Sequence, residues 1–528
     1  MANIKLNNLS FYYTSPYKLI FQNLNLTINV EWKCGLVGKN GRGKTTLLKL
    51  LKRDLEPSIG EINIPIKVSY FPFKIEKKYT LTYDILKNLI APFSDMEKKM
   101  DYLLQNKNIN EYGEVLEKYT FLNGFIIDTL IEKEFNKMGL KLELLKRPYE
   151  TLSSGEKTKI MIIAMFLRKD NYLLIDEPTN HLDISSREQL GKYLSKKKNF
   201  LVVSHDRYFL DLCIDHIISI NKSNVKLLNT NYSELEYNLK LEEDFEKKKN
   251  EKIEKKVKNL KEALIRSKVW ANNREKDKFK KYHPDTSIID KGYVGGKAKK
   301  LMKMSKNFEL NIQKNIEEQK GLLKNVEKNY ELKIFNSNKI PNKLLQIYNL
   351  NVEYGNNTIL KNFNLTLYKK ERIAIFGKNG SGKTTLLKAI FNEINIKSGN
   401  IYKPKFINFS RVEQVSNWED TTLYEYIQKK QINENKFRQI LGNFEVRGEI
   451  LDKQAKEFSD GEKKKIDLCL SIVDPVTVLI WDEPLNYIDI PTRLKLEKAI
   501  LKYEPTMIFI EHDRYFIENI ATKIIEIK

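Results

Sequence analysis

Short apolar runs that stop at a glycine or at paired acids recur along the chain. CGLV before Gly38, Tyr172–Ile175 before Asp176-Glu177 and Val478–Trp481 before Asp482-Glu483 are four residues each, the length of strands buried on both faces. FLVVS, ending at Ser204, and MIFIE, ending at Glu511, read the same way. TTLLKLL from Thr45 and KTKIMIIAMFL from Lys157 carry helical runs between them. Strands alternating with helices predict an α/β fold. The middle of the chain has another period: Ile253, Val257, Leu260 and Leu264, then Leu301, Met304, Phe308, Ile312 and Ile316, followed by Leu323, Val326 and Tyr330. Such seams suit two long helices running antiparallel. Between them, Lys281–Gly296 holds the turn signals Pro284, Gly292, Gly295 and Gly296. The reading is a helical hairpin with a tip loop, each arm reaching about 50 Å at 1.5 Å per residue. A solvated charged spacer is the alternative.

The longest apolar run, Ile160–Leu167, is eight residues, far short of the ~20 a spanning helix needs. No transmembrane region is expected. MANIKLNNLSFYY has no basic segment followed by an apolar one, so no signal peptide is expected either. Cys34, Cys213 and Cys469 have no paired spacing, which excludes a disulfide framework or a cysteine-built zinc site and suits the cytoplasm. At 41% hydrophobic residues, the 528-residue chain can bury sizeable cores. Its net charge of +23 points to an acidic partner. Nearly half of that excess, +11, lies within residues 240–330.

An internal repeat organises the rest. GKNGRGKTTLLK (Gly38–Lys49) returns as GKNGSGKTTLLK (Gly377–Lys388), LSSGEKTKI from Leu152 as FSDGEKKKI from Phe458, LLIDEPTNHLD as VLIWDEPLNYID, and SHDRYF as EHDRYF. A duplicated domain therefore occupies 1–236 and 343–528, with the basic hairpin at 237–342. The first copy has about 35 extra residues between Phe73 and Leu152, expected as a small helical insertion near 93–137.

The motifs carry phosphate chemistry. Gly38, Asn40, Gly41, Gly43, Lys44, Thr45 and Thr46 sit between a strand and a helix, as do Gly377, Asn379, Gly380, Gly382, Lys383, Thr384 and Thr385. The glycines let backbone N–H groups converge on phosphate oxygens, and the helix N-terminus adds its dipole. The lysine supplies a charge and the first threonine hydroxyl a ligand for Mg²⁺. Asp176 and Asp482 end buried strands where they would hold Mg²⁺, and Glu177 and Glu483 follow as candidate general bases. Surface charge at a strand end is the plainer reading of either pair. Ser153, Gly155 and Glu156, like Ser459, Gly461 and Glu462, would by themselves pass for ordinary helix caps. His205 and His512 end apolar strands, where a lone histidine is usually structural; beside a terminal phosphate a neutral imidazole would position water or sense the loss of that phosphate. Tyr13 and Tyr354 precede the glycine loops and are candidates to stack on adenine, with ordinary packing residues as the plainer reading.

In this order the series resembles the nucleotide-binding domain of ATP-binding cassette (ABC) proteins, twice, over about 80% of the chain. The strings DEPTNHLD and SHDRYF, the tandem copies and the charged linker resemble the ABC-F subfamily. Asp290-Lys291-Gly292-Tyr293 and the lysines from Lys297 are similar to the linker of its antibiotic-resistance members, the ribosome protection proteins of the lincosamide, streptogramin A and pleuromutilin group. The resemblance implies two tandem P-loop domains joined by a helical hairpin, with ATP and Mg²⁺ as cofactors and ATP hydrolysis as the reaction. It implies composite sites. Lys44, Thr45, Asp176, Glu177 and His205 face Ser459, Gly461 and Glu462 of the other copy. Lys383, Thr384, Gln414, Asp482, Glu483 and His512 face Ser153, Gly155 and Glu156. Thr45, Asp176, Thr384, Gln414 and Asp482 are the implied metal ligands. In the first copy Phe73 replaces the family's glutamine, kept as Gln414 in the second, so equal hydrolysis at the two sites is not expected. The implied partner is the ribosome, near the E site, with the linker directed at ribosomal RNA and the P-site tRNA. Tyr282, His283, Ile288, Ile289 and Tyr293 are its candidate tip residues. No membrane partner is implied, and the two copies pair within one monomer. A housekeeping translation factor and the motor of an exporter are the rival readings.

Overall fold

The computed structural model describes residues 2–14, 17–73, 75, 81–180, 182–221, 225–277, 303, 306–307, 310–312, 314, 332–334, 341–355, 357–416, 418, 421–446 and 448–527. The chain divides into two compact units, residues 1–233 with 331–528, and residues 234–330.

The first unit contains both repeats. The first copy runs β1 (Asn3–Thr14), β2 (Tyr17–Asn29), β3 (Lys33–Gly38), α1 (Lys44–Lys52), β4 (Ile59–Asn63), β5 (Lys67–Phe71), α2 (Thr82–Ile90), α3 (Phe93–Gln105), α4 (Ile109–Phe121), α5 (Ile127–Met138), α6 (Ser154–Leu167), β6 (Asn171–Asp176), α7 (Ile184–Leu194), β7 (Phe200–Val203), α8 (Arg207–Cys213), β8 (His216–Ile220) and β9 (Val225–Leu228). Its main sheet has the order β5-β6-β7-β3-β8-β9, parallel except for β9. A second sheet, β2-β1-β4, is antiparallel.

The second copy repeats this with β10 (Lys343–Tyr354), β11 (Asn357–Tyr368), β12 (Arg372–Phe376), β13 (Ser398–Tyr402), β14 (Phe409–Val412), β15 (Val478–Asp482), β16 (Met507–Ile510) and β17 (Lys523–Glu526). Its sheets are β14-β15-β16-β12-β17, all parallel, and β11-β10-β13, antiparallel. The central strands are apolar because helices cover one face and the small sheet with α1, or its counterpart Lys383–Ile390, covers the other. Leu36, Leu47, Leu174 and Leu201 share one core with Leu6 and Ile28 of the small sheet. Ile375, Leu387, Ile480 and Ile508 do so with Leu345 and Leu367 in the second copy. The stretch only the first copy has folds as α3 and α4, held by Tyr119, whose hydroxyl donates to Glu97 at 2.7 Å; α5, inside the expected 93–137, has a counterpart in the second copy at Glu434–Asn443, each packed on the long helix that follows it.

In the second unit, α9 (Tyr232–Asp277) is 46 residues long, about 70 Å at helical rise. Ile253, Val257 and Ile312 are buried. The tip loop Lys281–Gly296, with Tyr282, His283, Ile288, Ile289 and Tyr293, lies outside the described residues. Among the described residues no helix is long and apolar enough to cross a membrane.

Trp481 is the residue of β15 next to Asp482 and is fully buried in the helical-face core with Phe437, Phe509 and Phe516. Trp481→Ala should lower stability by about 3–5 kcal/mol, read as an earlier urea midpoint by circular dichroism. Trp481→Phe, which also removes a buried indole N–H that makes no hydrogen bond, should cost much less. An unchanged midpoint in Trp481→Ala would mean that this core does not carry the second copy.

Candidate composite nucleotide sites

Each glycine loop forms because a strand buried on both faces must turn sharply into a helix. Gly43 has φ +100°, and a Cβ there would lie 2.5 Å from Ile20 and 2.9 Å from Phe21. Gly382, at φ +94°, meets Ile359 at 2.6 Å in the same way. Only glycine permits both the conformation and the contact. Lys44 folds back over its loop, donating to Gly38 O at 2.7 Å and to Asn40 Oδ1 at 3.2 Å. Lys383 donates to Gly377 O and Lys378 O, each at 2.9 Å. Burial pushes both ammonium groups below their ordinary pKa. Neither joins an ion pair among the described residues, although Glu177, Asp489 and Asp176 favour the charge of Lys44, and Glu483, Asp183 and Asp482 that of Lys383, from farther off.

Two cavities open over these loops, and both are shared between the copies. The first, of about 440 Å³, is lined by Tyr13, Asn40, Gly41, Gly43, Lys44, Thr45, Thr46, Glu177 and His205 from the first copy and by Ser459, Asp460, Gly461, Tyr487 and Arg493 from the second. The second, of about 380 Å³, is lined by Asn379, Gly380, Gly382, Lys383, Thr384, Thr385, Gln414, Glu483 and His512, with Ser154 and Arg187 from the first copy. Hydrogen bonds cross between the copies at each. The Asn40 N–H donates to Asp489 Oδ2 at 3.0 Å and the Asn40 amide to Tyr487 O at 3.1 Å. The Asn379 N–H donates to Asp183.

The sites differ in chemistry. Parallel pairing sets Phe71 opposite Ile175 and Val412 opposite Trp481, each just before the Asp-Glu pair. Two residues on, Phe73 and Gln414 are therefore equivalent. Gln414 donates to Glu483 Oε1 at 3.0 Å, and Asn486 donates to Oε2 at 2.6 Å. Burial works against this carboxylate, but His512, Gln414 and Asn486 more than offset it and hold Glu483 down at about 2. Phe73 offers no donor; its ring lies 5.7 Å from the Arg168 guanidinium. Burial, with Asp176 adding to it, lifts Glu177 to about 7. His205 Nε2 lies 3.4 Å from Glu177 Oε1, and burial lowers its pKa so that the ring is neutral. His512 Nε2 is 3.6 Å from Glu483 Oε1. Thr384 donates to Asp482 Oδ2 at 3.0 Å, and Asp482 Oδ1 is buried without a hydrogen bond. In the first copy Tyr70 donates to Asp176 at 2.9 Å instead.

Some expected residues lie elsewhere. Glu156 and Glu462 turn back to their own caps, accepting from the Ser153 and Ser459 N–H groups at 2.8 and 2.9 Å, and so line neither cavity. In the second cavity Ser154 is the lining residue rather than Ser153 or Gly155. Tyr13 bonds Thr46 Oγ1 at 3.2 Å and stays partly exposed. The side chain of Tyr354 lies outside the described residues. The sequence reading overlooked Tyr70, Asn486, Tyr487, Arg187 and Arg493. The two arginines had a usable signal: each stands four residues after the last aspartate of its DEP string.

An unpaired lysine, a glycine-lined turn, a threonine and an aspartate with a free oxygen form a donor set that fits a nucleotide phosphate with Mg²⁺. The comparisons agree. The family described as "ABC transporter" matches residues 21–180 and 360–486, once in each copy and more than half of the chain. Ribosome protection protein VmlR of Bacillus subtilis (strain 168) is 28% identical over 98% of this chain and 85% of its own length. ABC transporter F family member 5 of Arabidopsis thaliana is 26% identical over 100% of this chain and 75% of its own. The archaeal ribosome recycling factor aABCE1, solved with ribosomal stalk protein aP1, shares the fold with a TM-score of 0.60 at 18% identity, over 98% of this chain and 87% of that one. With both repeats matched, the chain belongs to the ABC transporter family, as a tandem-domain ATPase related along its length to the family's F members.

Proposed function

We propose that this chain is a cytoplasmic, ATP-gated ribosome-binding factor that protects ribosomes from antibiotics, with residues 234–330 as the element directed at the P-site tRNA and peptidyl-transferase centre. The observation that carries the gating is that each glycine loop faces the helix N-terminus of the other copy across a shared cavity. The ribosome enters through the full-length relative named a ribosome protection protein and through the basic linker, whose lysines suit RNA phosphates.

ATP with Mg²⁺ supplies the phosphoanhydride bond whose cleavage drives the cycle. Lys44 and Lys383, with the loop N–H groups, would neutralise its phosphates. Thr45 with Asp176, and Thr384 with Asp482 and Gln414, would hold the metal. Tyr13 and Tyr354 are the proposed adenine contacts. Ser459 and Gly461 on one side, and Ser153, Ser154 and Gly155 on the other, close each site from the opposite copy, while Glu156 and Glu462 order those helix starts. Glu177 and Glu483 accept the proton of the attacking water, which His205 and His512 help to position.

Replacing Glu177 and Glu483 together by Gln should abolish turnover, keep ATP binding and hold the protein on ribosomes in sedimentation. Near-normal ATPase activity would remove both from the base role.

The single variants should differ. Gln414 and Asn486 orient Glu483, whereas Phe73 leaves Glu177 without that support, so Glu483→Gln should lower kcat more than Glu177→Gln. A base must be ionised, so activity tracks the carboxylate fraction. In Glu483→Gln, where Glu177 works alone, kcat/KM should rise from pH 6 to 8 with a midpoint near 7, matching the raised Glu177. In Glu177→Gln it should stay flat there, because Glu483 at about 2 is already ionised. Identical profiles would refute the division.

The tip loop should act separately from ATP chemistry. Exchanging Lys281–Gly296 for a Gly/Ser loop of equal length should keep ATPase activity and most ribosome binding yet lose drug protection of a sensitive host, with Tyr293→Ala as the single-residue version. Undiminished protection after the exchange would favour a general translation factor.

A further inference from the structure

The duplication supplies its own control for surface features, because the two small antiparallel sheets share a fold and differ in what they expose. In the second copy Tyr402 pairs with Gln346, and Tyr348 with Asn400. Tyr348 and Tyr402 therefore share one face of the sheet, and they are 60% and 61% exposed. Just beyond the edge strand β13, Phe406 is 69% exposed. Pro341, Lys343, Tyr402, Pro404, Lys405 and Phe406 surround an open groove of about 550 Å³. The side chains of Tyr402, Lys405 and Phe406 make no hydrogen bond, ion pair or ring contact among the described residues, and the lining contains no carboxylate. The first copy also has an open basic groove at its matching proline, lined by Lys52, Arg53 and Lys67, but it lacks the rings. Asn63 pairs with Lys5 and Asn7 with Glu61, so asparagines stand where the tyrosines are. Asn7 is tied to Glu61 at 3.0 Å. After the shared proline, Ile66-Lys67 replaces Lys405-Phe406.

Two large rings thus stand exposed beside Lys405, whose ammonium has no partner among the described residues, and Lys343, which donates to Gln346 Oε1 at 3.2 Å; exposed clusters of this kind mark binding surfaces. We infer that this groove is a binding site for unpaired RNA, with bases stacked on Tyr402 and Phe406 and phosphates held by Lys343 and Lys405. Charge chooses the occupant: the lining is cationic without any acid, the whole chain is +23, and aromatic rings flanked by ammonium groups match single-stranded nucleic acid. A duplex hides its base faces and cannot use the rings. The site is remote in sequence from the tip loop, and neither cavity over the glycine loops is lined by any of its residues.

The inference extends the ribosome reading without depending on it. The full chain is photocrosslinked to a 4-thiouridine-containing RNA decamer, the adduct is mapped by mass spectrometry, and affinity is followed by fluorescence anisotropy. An adduct on Tyr402 or Phe406 is expected. Tyr402→Ala with Phe406→Ala should abolish that adduct and weaken the decamer about 10- to 100-fold at that site, while ATPase activity is kept. Lys343→Ala with Lys405→Ala should reduce the salt slope by about 1.4, or 0.7 per phosphate on a single strand. Asn63→Ala with Lys67→Ala, in the first copy, should change nothing. Adducts confined to residues 240–330, or a duplex that competes as well as the single strand, would overturn the groove. Ribosome sedimentation is scored separately. Its loss with the adduct retained counts against the ribosome reading alone, and its retention without the adduct counts against the groove alone.

Discussion

One carboxylate with divided duties holds each nucleotide site together. Asp489 Oδ1 accepts from the Thr492 N–H at 3.0 Å and caps its own helix, while Oδ2 accepts from the Asn40 N–H in the loop of the other copy. Asp183 does the same with Ser186 and Asn379. Burial opposes a charge at Asp489, but Lys465 and these hydrogen bonds hold its pKa far below the carboxylate range. Charge-assisted bonds of this kind are worth about 1.5–3 kcal/mol each. Ordering of the helix after each DEP string is thereby coupled to ordering of the opposite glycine loop, and neither cavity exists in one copy alone.

Around this shared constraint the copies have diverged. The Arg207 guanidinium reaches Glu497 of the second copy, both deeply buried. The residue matching Glu497 is Gly191, where a Cβ would already lie 3.0 Å from Leu212. Arg514, the counterpart of Arg207, stays on its own helix with Glu518 at 2.8 Å and reaches across to Tyr208, whose hydroxyl it donates to at 3.1 Å and whose ring it covers at 4.9 Å. Removing one partner of a buried pair strands a charge, whereas an exposed pair contributes little. The two halves of the interface are therefore unequal in energy as well as in chemistry. The inequality at Phe73 and Gln414 lies on the same molecule.

The α/β class, the duplication and the chemistry of the loops were legible in the chain alone, because they depend on local spacing. A four-residue apolar run bounded by turn residues suits a buried strand, and a glycine loop between such a strand and a helix suits a phosphate. The substitution of Phe73 for glutamine was likewise legible once the two copies were aligned. Tertiary structure decided what those groups face. Glu156 and Glu462 looked like site residues, but a capping hydrogen bond three residues back satisfies them more cheaply than a reach into the cavity. Tyr70, Asn486 and Arg493 became site residues through strand register and copy pairing, which no local pattern encodes. Glu177 and Glu483 stand in the same Asp-Glu-Pro triplet and differ in proton affinity because desolvation and neighbouring donors, not the residue type, set a carboxyl's pKa. The exposed rings at Tyr402 and Phe406 are the same case: ordinary aromatic letters in the sequence, and a feature only once the fold leaves them uncovered beside Lys343 and Lys405.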